Sequence, residues 1–228
     1  MDFRILGPLE ISDRGRPIEL GRQKHKTLLA ALLLRSGEVV SVDQLIDDLW
    51  GERPPSTARA SVHNAVSAVR KVVGHETLRT QGPGYVLDIS PEQLDLNRFE
   101  FLTVEARGAK GKERLEKLRE ALALWRGPAL ADLAFEPMTA FEAGRLEELR
   151  TAALEDLIDA ELSLGAGAQL VEKLETLVAE HPFREHFRGQ LMLALYRSGR
   201  QAEALAAYQD GRRVLVDELG IEPSTPLR

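Results

Sequence analysis

The sequence predicts an α+β winged helix-turn-helix domain over residues 1–90, followed by an all-α, tetratricopeptide-like helical domain over 91–228. Three observations predict it. A basic amphipathic helix near residue 60 is followed by a hairpin signature. Strand signals stop after Asp88, and the helical runs beyond it contain a 34-residue internal offset.

The first twenty residues hold Phe3-Arg4-Ile5-Leu6, Leu9-Glu10-Ile11 and Pro17-Ile18-Glu19-Leu20, separated by Gly7-Pro8 and Asp13-Arg14-Gly15, which predicts short strands of an antiparallel sheet. Gln23 to Arg35 carries Leu28, Leu29, Leu32 and Leu33 at helical spacing, with Ser36-Gly37 as a stop. Ser41 caps a second helix, with Gln44 in the capping-box position and Leu45, Ile46 and Leu49 on one face. That helix ends at Trp50-Gly51, with Trp50 expected to close it against the sheet. Pro54 and Pro55 keep the following loop out of a helix, because each removes a donor and restricts its predecessor.

A third helix follows, capped by Ser56 or Thr57. Val62, Val66, Val69 and Val73 fall on one stripe, flanked by Ala58, Ala65 and Val72, while Arg59, His63, Asn64, Ser67, Arg70 and Lys71 fall on the other side. From Arg53 to His75 there are four Lys or Arg and no acid. Leu78 to Leu87 then reads as two extended runs around Gly82-Pro83-Gly84, whose glycines are explained by turn geometry.

Beyond Asp88, helical runs are readable at 95–106, 112–125, 139–164, 168–181, 184–197 and 201–219. Gly165 and Gly199 stand 34 residues apart, and the same offset aligns Leu157 with Leu191, Ala160 with Ala194, Val171 with Leu205 and Leu174 with Tyr208. That is the tetratricopeptide spacing. Trp125 is expected to anchor the core.

Residues 1–90 carry 12 Lys/Arg against 11 Asp/Glu, and residues 91–228 carry 18 against 25, so the net charge of −6 sits in the second half. An acidic chain with a local basic face suits selective rather than indiscriminate nucleic-acid binding. The absence of cysteine excludes disulfides, thiol nucleophiles and Cys-based zinc sites. The longest apolar run, Leu28 to Leu34, falls well short of a membrane span, and no secretory h-region follows the N-terminus, so a cytoplasmic protein without membrane partners is expected. No nucleophile elbow, phosphate loop or dinucleotide-binding turn occurs, and His181 and His186 are off the spacing that puts two metal ligands on one helix face. Neither an enzyme, a metal site nor a cofactor is expected.

The chain resembles the Streptomyces antibiotic regulatory protein family, in which a response-regulator-type winged helix precedes a bacterial transcriptional activation domain. The resemblance is carried by Phe3 to Leu9, Leu28 to Leu34, Val42 to Gly51, Gly82 to Leu87, Ala121 to Pro128, Ala143 to Arg150 and Leu191 to Tyr208, in that order. It implies an activator of secondary-metabolite (antibiotic) biosynthesis genes that binds direct repeats in double-stranded promoter DNA, alone or as a homodimer on DNA. It also implies recruitment of RNA polymerase through a sigma factor or the alpha subunit. The chain departs from the family where Gln and an aromatic are frequent in the recognition helix, since His63 and Ala65 stand there. Family members commonly continue with a further stretch of helix past the position of Pro226, so the resemblance implies that Arg228 is either an end cut to this length or the end of a parent's N-terminal part.

Within that reading, His63, Asn64 and Ser67 are short enough to lie near base edges, Asn being suited to adenine. Arg59 suits guanine or phosphate; Arg70 and Lys71, toward the helix end that leaves the groove, are assigned to phosphate. Arg79, Thr80 and Gln81 of the hairpin reach toward a minor groove or form an ordinary solvated turn. Lys24 and Lys26, with His25, touch the DNA backbone or simply open a solvated helix. The loop carrying Glu52 and Arg53 is assigned to polymerase contact. The rival reading is a tetratricopeptide-like adaptor whose winged helix binds protein.

Overall fold

A computed structural model of the chain describes residues 1–227, Ala140 and Pro226 by backbone alone. It divides into two compact units that interleave along the sequence. The first comprises Met1–Val104 and Glu120–Arg150, the second Glu105–Arg119 and the residues from Thr151 onward.

In the first unit, strands β1 (Asp2–Arg4), β2 (Glu10–Asp13) and β3 (Arg16–Ile18) form an antiparallel meander in that order. Phe3 pairs with Ile11 and Ile11 with Ile18, so the period-two alternation turns Phe3 and Ile11 inward and leaves Asp2, Arg4 and Glu10 exposed. Helix α1 (Gln23–Leu33) is buried continuously from Thr27 to Leu33, as its Leu/Ala run dictates. Strand β4 (Val40–Ser41) leads directly into α2 (Val42–Trp50), where Ser41 accepts the Gln44 backbone N–H at 3.1 Å. Helix α3 (Ala58–Val73) buries Val62, Val66, Val69 and Val73. Thr57 is its N-cap but makes no side-chain cap bond: with φ −92° and ψ 10° it lacks the extended geometry that a capping hydroxyl uses.

Strands β5 (Leu78–Gln81) and β6 (Gly84–Leu87) form the hairpin, and β4 pairs with β6 to give a sheet of order β4-β6-β5. The two glycines of this hairpin differ. Gly82, at φ +53°, serves the turn, whereas a Cβ on Gly84 would lie 2.0 Å from the Val40 carbonyl oxygen. Close approach of β4, not the turn, demands glycine at 84, a requirement that the short β4 strand hid from sequence reading.

The first unit draws the rest of its packing from far along the chain. Helix α4 (Asp95–Gly108) begins with Asp95, whose buried carboxylate accepts the backbone N–H groups of Ile5 and Leu6, which lie just past β1. The Leu6 carbonyl accepts the Arg126 N–H at 2.8 Å, and Leu130 N–H bonds the carbonyls of Ile5 and Gly7. Asp132 accepts the Leu9 N–H at 2.8 Å. Trp125 is buried edge-on to Phe99, at 5.5 Å between ring centroids, with the Arg150 guanidinium 5.2 Å from its ring. Trp50 departs from expectation, being half-buried beneath the Lys24 ammonium rather than sealed in the core.

Helices α5 (Gly111–Ala123) and α6 (Pro137–Ser163), like α4, cross the boundary between the units. The second unit is completed by α7 (Ala168–Glu180), α8 (Glu185–Arg197) and α9 (Gln201–Leu219). Ile158, Leu162, Leu170, Leu174, Phe187, Leu191 and Ala194 form its core. The 34-residue offset is realised in the first helix of each pair, where Leu157, Ala160, Leu191 and Ala194 are all buried. It fades in the second, because Val171 is buried while Leu205 is 67% exposed. Among the described residues no further repeat covers that face of α9.

Candidate nucleic-acid interface

The side of α3 opposite its valine stripe is a polar surface. Arg59, His63, Asn64, Ser67 and Lys71 are exposed on it, and Arg70 is half-buried. The β5–β6 hairpin follows α3 after the linker Gly74–Thr77 and exposes Arg79, Thr80, Gln81, Gly82 and Pro83.

These groups differ in how far they are engaged within the protein. Asn64, Lys71 and Gln81 make no side-chain hydrogen bond or ion pair to another described residue, leaving an amide, an ammonium and a second amide open to a ligand. Ser67 donates its hydroxyl to the His63 carbonyl at 3.0 Å, so what it presents outward is an acceptor. The His63 ring meets buried Tyr85 edge-on, at 6.5 Å between centroids. Arg59 is tied at 2.5 Å to Asp43 in the first turn of α2, and Arg79 at 2.5 Å to Asp88 just past β6. Both pairs are well exposed, so solvent competes for them and either can open.

Arg70 is the exception. Its Nε–H donates to the Leu78 carbonyl at 2.8 Å, its second terminal nitrogen donates to Thr80 Oγ1 at 2.7 Å, and its guanidinium carbon lies 5.4 Å from the Tyr85 ring centroid.

Lys24 and Lys26 are held by carboxylates from a distant stretch of sequence. Lys24 Nζ donates to Glu136 at 2.7 Å and to the Leu49 carbonyl at 2.5 Å, where it ties the last turn of α2, and Lys26 pairs with Asp132 at 3.1 Å. Burial, and then the neighbouring Arg22 charge, lower the His25 pKa and favour the neutral imidazole. The cations at the start of α1 are thus largely compensated. Glu52 and Arg53 are exposed beside Pro54 and Pro55 in the α2–α3 loop.

The exposed polar face of α3 is the one that the valine stripe predicts, but the groups that order it leave little mark in the sequence. Tyr85, the aromatic after the Gly-Pro-Gly turn, underlies both His63 and Arg70, and its place in the period-two run was the available signal. Asp43 and Asp88 lie in segments with no feature linking them to Arg59 or Arg79. Asp132 and Glu136 are more than a hundred residues from the lysines they meet, and no local pattern announces them. Among the described residues no cluster of three or more His, Asp or Glu is arranged to hold a metal, and no helix is long and apolar enough to cross a membrane.

An exposed helix face offering amide, hydroxyl, imidazole and ammonium groups, with a hairpin beside it, supplies the donors and acceptors that base edges and phosphates require. Comparison with known proteins places the chain among transcriptional regulators. Residues 94–228 match the family described as bacterial transcriptional activator domain, and residues 15–87 match the family described as transcriptional regulatory protein, C terminal. The chain is 40% identical over 229 residues to the regulatory protein AfsR of Streptomyces griseus, a match covering 99% of the chain and 23% of AfsR. It is 36% identical to the regulatory protein DnrI of Streptomyces peucetius, across its whole length and 89% of DnrI. The solved structure of Mycobacterium tuberculosis EmbR in complex with a low-affinity phosphopeptide is 38% identical, with a TM-score of 0.94, and the match covers the whole chain and 62% of EmbR. The chain thus spans about a quarter of AfsR and most of DnrI.

Proposed function

We propose that this chain, which belongs to the Streptomyces antibiotic regulatory protein family of transcriptional activators, reads promoter DNA with α3 and the β5–β6 hairpin and activates transcription through its helical half. The observation that carries the reading is the open polar face of α3, where Asn64 and Lys71 are free of protein partners beside Ser67 and His63. Asn64 is assigned to an adenine edge and Lys71 to phosphate, with Ser67 and His63 between them. Arg59 engages guanine or phosphate by leaving Asp43, and Arg79, Thr80 and Gln81 approach the flanking minor groove. Lys24 and Lys26 are the weakest of the candidates, because their charges are already compensated by Glu136 and Asp132.

In functional terms the division proposed is 1–90 for DNA reading and 91–228 for activation. The net negative charge of the latter disfavours a direct grip on the duplex and suits protein contacts. Those contacts are proposed to align copies on direct repeats, as a dimer on DNA, and to hold RNA polymerase through its sigma factor or alpha subunit. Glu52 and Arg53 are the proposed polymerase contacts, stiffened by the two prolines that follow. Genes of antibiotic biosynthesis in the cytoplasm of the producing cell are the proposed targets.

The test is selection of genomic fragments by the purified chain, followed by footprinting and run-off transcription with purified polymerase. The reading expects protection over repeated sequences and stimulated transcription from the same fragments. Retention of protein partners with no duplex preferred over random sequence would instead support an adaptor.

A further inference from the structure

Arg70 lies on the α3 face assigned to DNA, yet its guanidinium is turned back onto the hairpin. It donates to the Leu78 carbonyl and to Thr80 Oγ1, both on β5, and its guanidinium carbon lies over the Tyr85 ring on β6. A single side chain therefore ties both strands of the hairpin to the helix. His63, two turns earlier on the same face, meets the same tyrosine ring from the edge. The fork geometry of guanidinium suits this role: two donors diverge to two acceptors on one strand while the cation sits over an aromatic ring. A lysine ammonium has the charge but not the fork.

We infer that Arg70 is a positioning residue that fixes Arg79, Thr80 and Gln81 relative to the reading face of α3, so that helix and hairpin engage a duplex in one register, and that it is not itself a phosphate contact. This rests on the DNA-reading proposal. Two of the five guanidinium N–H donors are committed to β5 and the group is held beside Tyr85 on a half-buried side chain, so reaching out to a backbone phosphate would loosen the tie to the hairpin. Lys71, adjacent and unengaged, supplies charge at that end of the helix without such a loss.

The experiment compares the full chain with its Arg70→Lys, Arg70→Ala and Thr80→Val variants and the Arg70→Ala/Thr80→Val double variant. Two duplexes are used: one selected by the wild-type chain, and the same duplex with the hairpin-side flank randomised. Arg70→Lys and Arg70→Ala are expected to behave alike, losing about tenfold on the selected duplex, the scale of a lost hydrogen bond to a charged group, and little on the randomised one. Hydroxyl-radical protection should disappear from the flank and persist over the α3 site. The double variant should bind no worse than Arg70→Ala alone, since both substitutions break the same tie. Retained protection over the α3 site shows that each variant folds. Wild-type binding by Arg70→Lys, or an equal loss on both duplexes by Arg70→Ala, overturns the inference in favour of a phosphate contact. Additive losses in the double variant overturn it as well. A wild-type chain that prefers no duplex over random sequence fails the DNA reading itself, and with it this inference.

Discussion

Asp95 holds Ile5: both carboxylate oxygens accept the Ile5 backbone N–H, at 2.8 and 3.0 Å, across ninety residues of sequence. One of those oxygens also accepts the Leu6 N–H at 3.0 Å, and Asp95 is 4% exposed. Asp95→Ala leaves two buried N–H groups without that partner, at ~1–3 kcal/mol for each. Urea unfolding should therefore show a clearly lowered midpoint, and an unchanged midpoint would remove the structural role given to this carboxylate.

The pH dependence of the same residue has a definite sign. Burial raises the Asp95 pKa by more than the hydrogen bonds from Ile5 and Leu6 and the Arg126 charge lower it. A folded-state pKa above the unfolded value means that the folded form binds the proton more readily. The resulting stability is fully present below the unfolded pKa and is lost as pH rises through the folded pKa. The stability of the wild type relative to Asp95→Asn should accordingly fall as pH is raised through that acidic window. A relative stability that rises there would contradict the assignment.

Lys24→Ala separates a structural from a DNA-contacting lysine. The substitution strands Glu136, which is 11% exposed in its side chain, and frees the Leu49 carbonyl. A loss of about 1–3 kcal/mol in unfolding stability is expected from the unpaired groups. The salt dependence of DNA binding should not change, and a slope reduced by about one would return Lys24 to the phosphate contacts.

Asn64 and Lys71 should divide specificity from affinity. Asn64→Ala should cost about 1–3 kcal/mol on a selected site and little on random duplex. Lys71→Ala should weaken both alike and lower the log-log salt slope by about one. Competition binding at several salt concentrations reads both, and an unchanged specificity ratio in Asn64→Ala would take base reading away from that residue.

Gly84→Ala places a methyl group 2.0 Å from the Val40 carbonyl oxygen, a backbone atom with no rotamer to move. The β4–β6 pairing must open or shift, at a cost of roughly 3 kcal/mol or more, at or above the upper end of overpacking penalties. Gly82→Ala meets no neighbour within 4 Å and carries only the strain of its positive φ. Thermal melts should rank Gly84→Ala as the more damaged of the two.

Much of this molecule was legible before its structure, for reasons visible in particular residues. The valine stripe of α3 could face only one way, so its opposite face was fixed. Ser41 with Gln44 located the start of α2, and leucine and alanine spacing located the long helices other than α3. What escaped was non-local. Strand β4 has only two residues and no periodicity to show. The partners of Lys24, Lys26 and Ile5 come from segments about ninety or more residues away, and packing of that range leaves no trace in a local window. The tie from Arg70 to the hairpin leaves no mark in sequence either, because its acceptors are a backbone carbonyl and a threonine hydroxyl.

The interleaving of the first unit bears on the order of events at the ribosome. Helix α3 is complete at Val73, but Asp95, Arg126, Leu130 and Asp132, which satisfy the backbone just past β1, are synthesised later, at roughly 5–20 residues per second. Until they emerge, the Ile5 and Leu6 amides stay hydrated and the first unit is unfinished. A nascent chain that has passed α3 still awaits the segment ending at Arg150 before the first unit is complete. Completion of the first unit is thereby tied to translation of the chain as far as Arg150, and a product truncated before it lacks the partners of the Ile5, Leu6 and Leu9 backbone.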